Sequence, residues 1–166
     1  MKTKPMPNLY RAADIAKILG VKEWRIKNYS QGEAYNLAPS SRLGSGQRKW
    51  RVYTFQDVLK HAIADELVRY GFGPESVGEA LGSISEPLLT SWTRHLAATG
   101  GEGKEPDWES MPMLVNVDGS WKVMKGAKIR EQFFGYAGDW KGVFILNYPL
   151  LLRQVIKQIT EFEEEK

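Results

Sequence analysis

The chain contains no cysteine. That excludes disulfide staples, thiolate metal sites, thiol nucleophiles and thiol redox sensing together. Histidine is nearly as scarce: His61 and His95 are the two, and neither stands among other candidate ligands, so no metal centre is expected. No apolar run approaches the ~18 residues that a membrane-spanning helix needs. The opening stretch MKTKPMPNLY carries charge but no apolar h-region and no small-residue cleavage pattern, so no secretory leader is read. Nucleophile–base pairs and carboxylate pairs at informative spacing are missing too. These absences lead to the expectation of a cytoplasmic protein that is not an enzyme, uses no cofactor and has no membrane partner.

What is present is charge, unevenly placed. The 166 residues have a net charge of +3, with 42% hydrophobic and 26% charged residues, enough for one ordinary domain or two small ones. Through Ile84 there are 13 basic and 8 acidic residues; beyond it there are 10 and 12, which sum to the chain's 23 and 20. The stretch Gly20 to Tyr53 is the most positive, with Lys22, Arg25, Lys27, Arg42, Arg48, Lys49 and Arg51 against Glu23 and Glu33. A basic patch of this density suggests a polyanion.

The periodicities suggest how that patch is built. Ala12, Ile15, Ala16 and Leu19 recur at helical spacing, and Gly20 stops the helix. A second short pattern begins at Val21, with Ile26 and Tyr29 inward and Lys22, Glu23, Arg25, Lys27 and Asn28 free to face outward. Two short helices joined at a glycine form a helix-turn-helix, whose second helix can enter the major groove. Pro39, Ser40, Ser41, Gly44, Ser45 and Gly46 mark turns, and Arg48–Tyr53 alternates as a strand. Its partner is expected near Leu37–Leu43, which makes a small wing. Thr54 and Asp57 cap a long helix with a face of Phe55, Val58, Leu59, Ala62, Ile63, Leu67 and Tyr70, stopped at Gly71. Pro74 suits the first turn of the next helix, with Val77, Ala80, Leu81 and Ile84 inward.

These pieces, in this order, resemble the N-terminal DNA-binding domain of the MerR family of bacterial transcription regulators. The matching segments are ADIAKILGV (13–21), KEWRIKNY (22–29), WRVY (50–53) followed by Thr54 and Asp57, and Gly71-Phe72 before a short helix. The resemblance covers about residues 9 to 84. It implies that Lys22, Arg25, Lys27 and Tyr29 lie on the DNA face of the recognition helix. It also implies that Arg51 is the wing arginine and that Tyr53 packs or touches backbone beside it. Here Lys27 and Asn28 stand where the family usually has arginine then tyrosine, so Asn28 can pair with adenine instead. The family's long dimer helix has no counterpart: residues 86–99 are short and end at Gly100-Gly101.

The remainder reads as a small α+β domain, 85–166. A helix is expected over 85–99, then a flexible loop at 99–106. Strands at 113–117 and 120–124 flank Asp118-Gly119, a type I′ hairpin signal, and 142–146 is a third strand. Asn147 and Pro149 open a final helix whose apolar face (Leu151, Leu152, Val155, Ile156, Ile159 and Phe162) suggests a homodimer interface within 85–166; the acidic end is expected to fray. Trp108, Trp121, Phe134, Tyr136 and Trp140 could line a pocket for a small-molecule effector, or simply fill a core.

The expected protein is therefore mainly α with a small β component: a winged helix-turn-helix over 9–84, then an antiparallel sheet plus C-terminal helix. Its expected function is sequence-specific double-stranded DNA binding in transcription regulation. The candidate DNA contacts are Lys22, Arg25, Lys27, Asn28, Tyr29, Arg42, Arg48, Lys49, Arg51 and Tyr53. Two alternatives stand beside it: an architectural, excisionase-like DNA bender, and a ligand-sensing or protein-docking module acting through the C-terminal domain.

Overall fold

The computed structural model describes residues 9–39, 41–43, 50–85, 87, 90, 91, 107–134 and 142–165. Helix α1 (Ala12–Leu19) starts where Asp14 accepts the backbone N–H of Arg11 at 2.8 Å and ends at Gly20. Gly20 has φ 65°, the left-handed position that favours glycine at a helix C-terminus. Three residues later α2 (Glu23–Gln31) begins, and it turns Ile26 and Tyr29 into the core as its pattern requires. A single 3-10 turn, Glu33–Tyr35, leads to a two-stranded antiparallel hairpin of β1 (Ser41–Leu43) and β2 (Trp50–Val52), with Arg42 opposite Arg51.

The hairpin does not stand alone. Tyr10 and Tyr53 exchange both backbone hydrogen bonds, at 2.8 and 2.9 Å, so the segment before α1 is stitched to the end of β2. Helix α3 (Phe55–Arg69) follows, with the Thr54/Asp57 capping box formed. Eight of its residues are buried, His61 and Asp65 among them, so α3 is enclosed on more than the one face its apolar spacing suggests. Helix α4 (Pro74–Ser83) has Pro74 in its first turn.

The second sheet has the order β4–β3–β5: β3 (Pro112–Val117), β4 (Ser120–Lys125) and β5 (Val143–Leu146), all antiparallel. Asp118 and Gly119 take φ of 49° and 90°, as a type I′ turn requires. The central strand β3 is buried at every position because both faces of the sheet are covered. Leu114, Leu146, Trp121 and Phe144 pack toward the helices, whereas Met113, Val115, Met124 and Ile129 form a separate cluster beneath. Ile129 comes from the short helix α5 (Gly126–Ile129), which runs into a π-helical turn, Arg130–Phe134.

The last helix, α6 (Tyr148–Glu164), is capped by Asn147, whose side chain accepts from Leu150 N–H at 3.2 Å. Its apolar face is not an open surface. Leu152, Val155, Ile156, Ile159 and Phe162 join the core of α1 and α3, so this face packs within the chain. The acidic end continues as helix to Glu164. Glu163 accepts a hydrogen bond from the Tyr10 hydroxyl at 2.7 Å, and Glu165 pairs with Lys17 at 2.9 Å. Residues on either side of position 84 thus share one apolar core. Of the helix expected over 85–99 and the loop expected at 99–106, residues 86, 88, 89 and 92–106 lie outside the described residues.

One close approach fixes how α4 meets the segment after α2. A Cβ built on Gly78 would lie 2.0 Å from the backbone oxygen of Ala34. Helix propensity alone would favour alanine at this position by ~1 kcal/mol. The backbone clash should reverse that sign, and Gly78→Ala should destabilise the fold by about 1–3 kcal/mol in a denaturant melt. A neutral or stabilised variant would mean that α4 does not press on this turn.

Candidate nucleic-acid interface

Beneath α2 lies a buried polar network. Asp65, on α3, keeps only 6% of its side chain exposed, and three groups meet its carboxylate. Arg25 Nη2 donates to Oδ1 at 2.8 Å, the Tyr29 hydroxyl donates to Oδ1 at 3.0 Å, and Arg69 Nε donates to Oδ2 at 3.0 Å. Arg25 also donates to the Tyr29 oxygen, from Nε at 3.3 Å and Nη2 at 3.1 Å. Burial pushes the Tyr29 hydroxyl up to about 12, so it stays a donor to the carboxylate.

A second chain of polar groups runs one turn along. The Tyr53 hydroxyl donates to Ser30 Oγ at 2.9 Å, which ties the end of β2 to α2. Ser30 Oγ sits 2.9 Å from the Ile26 carbonyl and 3.2 Å from His61 Nε2. His61 Nδ1 lies 2.7 Å from the Asp57 carbonyl and therefore carries the ring proton there. The ring is fully buried and packs edge-on against Tyr53, with centroids 5.3 Å apart. Burial lowers the His61 pKa from its ordinary value.

This network sorts the candidate residues. Lys22, just before α2, and Lys27 and Asn28 on it are exposed, and Arg51 is partly exposed on β2. Tyr29 and Tyr53 are not available as DNA contacts: both are buried, because their rings fill the core and their hydroxyls serve Asp65 and Ser30. Arg25, expected to face a groove, is 28% exposed and bound to Asp65. Lys27 pairs with Glu23 at 2.7 Å, but both partners are about half exposed. Such an (i, i+4) pair contributes only ~0.2–0.5 kcal/mol, so a phosphate could displace it. For Arg42 only the backbone is described; Arg48 and Lys49 lie outside the described residues.

Of the five aromatic residues expected at a pocket, Trp108 and Trp121 are described with their side chains, and these two lie apart. Trp121, at the start of β4, donates Nε1–H to Ser76 Oγ at 2.8 Å and packs edge-on against Phe72, with centroids 4.9 Å apart. Trp108 lies against Gly126, beyond the far end of the same strand, about 16 Å away at the rise of an extended chain. Trp121 is thus a core residue joining the sheet to α4. The Phe134 side chain, Tyr136 and Trp140 lie outside the described residues.

Asp65 and Ser30 were not singled out by sequence, although both are polar residues on the inward faces of helical patterns. Among the described residues, no group of three or more acidic or histidine side chains could hold a metal, and no helix is long and apolar enough to cross a membrane. The chain matches no protein-family model and none of the curated proteins.

Two tests address the network. Asp65→Ala leaves Arg25 and Tyr29 without their buried acceptor and should cost about 3–5 kcal/mol in chemical denaturation. A loss below ~1 kcal/mol would show the carboxylate to be a surface pair. For His61 the sign follows from its lowered pKa. The unfolded chain takes up a proton near pH 6.5 that the folded chain refuses, so stability should fall on acidification from that pH down to the folded-state value. The slope attributable to His61 is at most about 1.4 kcal/mol per pH unit, and it should vanish in His61→Gln. An equal slope in the variant would place its origin elsewhere.

Proposed function

We propose that the protein binds double-stranded DNA in a sequence-specific manner as a MerR-like winged helix-turn-helix regulator. In this reading α2 is the recognition helix and the β1–β2 hairpin is the wing. One observation carries the reading: the hydroxyl of Tyr53, at the end of β2, is hydrogen-bonded at 2.9 Å to Ser30 on α2. Hairpin and helix are therefore fixed relative to each other, and together they present Lys22, Lys27 and Arg51 to solvent.

The electrostatics support the same reading. Arg42 and Arg51 are register partners in a ribbon of two strands. Most hydrogen bonds in protein–DNA interfaces go to phosphate and sugar, which is the role the hairpin cations suit. The groove-facing role falls to the outer face of α2.

Fluorescence anisotropy of the full chain with labelled duplexes between 50 and 200 mM salt tests the reading. Binding should weaken linearly on a log–log plot, with a slope of about −0.9 per neutralised phosphate. Arg51→Ala should weaken binding to all duplexes alike and reduce that slope by about one unit. No salt-dependent binding to any duplex would sink the proposal; an unchanged slope would remove Arg51 from the interface.

A further inference from the structure

The outermost stripe of α2 is not the one that carries its arginine. At about 100° per residue, Trp24, Asn28 and Gln31 fall within about 60° of one another, opposite Ile26, Tyr29 and Ser30. All three are exposed, Trp24 to 58%. Arg25 lies on one flank, bound to Asp65, and Lys27 lies on the other, paired with Glu23.

We propose that α2 selects A·T base pairs, with Asn28 and Gln31 reading adenines and Trp24 packing on a thymine methyl. This rests on the reading of α2 and the hairpin as a duplex-DNA surface. Donor chemistry supports this assignment. Guanine offers two acceptors, O6 and N7, and arginine or lysine pairs with both. The single arginine of α2 is committed to a buried carboxylate, and withdrawing it would leave that charge unpaired. Of the lysines, Lys22 precedes the helix and Lys27 lies on its flank beside Glu23, so neither stands on the outermost stripe. Asparagine and glutamine each present a donor and an acceptor, the complement of adenine N6 and N7. Asn28 and Gln31 are separated by about 4.5 Å along the helix axis, close to the spacing of adjacent base pairs at about 3.4 Å. A lone exposed tryptophan means little by itself. Trp24 matters because it lies on the same stripe as the two amides, where an apolar surface suits the one base that carries a methyl in the major groove.

Selection of bound duplexes from a random pool, using the full chain and the variants Trp24→Ala, Asn28→Ala and Gln31→Ala, tests the assignment. The unsubstituted chain should enrich sites with adjacent A·T pairs. Asn28→Ala and Gln31→Ala should each lose roughly 5- to 150-fold discrimination at one of those pairs. Trp24→Ala should lose preference for thymine beside them, and all three should keep the wild-type melting temperature and salt slope. A consensus centred on G·C pairs, or alanine variants that enrich the same sites as the wild type, would overturn the assignment while leaving DNA binding intact. Salt-dependent binding without enrichment would overturn it likewise. No binding by any form would overturn the underlying reading of the surface as well.

Discussion

A carboxylate taken out of water has to be met by cations and donors, and the buried Asp65 dictates much of what surrounds it. It gathers Arg25 and Tyr29 from α2 and Arg69 from its own helix. The geometry has a direction. Arg69 is more than half exposed and one turn away on α3, so its pairing costs little to break and fixes little. Arg25 and Tyr29 come from another helix and hold α2 at one rotation about its axis. That rotation decides which residues look outward. The same contact that orients the helix removes its arginine from the outward set.

Much of the fold was legible because its signals are local. Thr54 with Asp57, Asn147, Pro74 and Asp118-Gly119 each specify a backbone geometry within a few residues, and each occurs where the sequence suggests. The candidate interface was legible only in part. Spacing along α2 separates Ile26 and Tyr29 from the exposed Lys22, Lys27 and Asn28, and it leaves Arg25 on a flank. Whether a flanking arginine reaches solvent or a buried acid depends on Asp65, whose bond to Tyr29 spans 36 positions. No periodicity carries that information. The face of α6 meets the same limit: a broad apolar stripe shows that something must cover it, not whether the cover is the same chain. Here the cover is α1 and α3.

The C-terminal sheet and α6 act on the candidate interface through packing. Phe72, Trp121 and Phe144 meet edge to face at the junction of α4 and the sheet, with Phe72 4.9 Å from Phe144. At the other end, Glu163 and Glu165 hold Tyr10 and Lys17, and Tyr10 is the residue that stitches the hairpin through Tyr53. Tyr53 in turn reaches Ser30 on α2. The last turns of α6 are therefore three bonded steps from the recognition helix proposed here. A close-packed interior transmits a displacement along such a chain. Trp121, one of the aromatic residues expected at a pocket, packs in this junction.

Cations on the proposed surface divide by what would be needed to free them. The Lys27–Glu23 pair is exposed and weak, so a phosphate competes with Glu23 on favourable terms. Arg25 is held by a carboxylate that has no water to turn to, and releasing it would leave that charge buried and unpaired. The lysines and Arg51 are thus the groups suited to salt-dependent attraction toward a polyanion, a contribution that carries no sequence information. On the proposed reading, discrimination between sites falls to the neutral side chains on the outer stripe of α2. A buried acid in the scaffold would then separate affinity from specificity: it confines one arginine to the fold and assigns base recognition to amides and an indole.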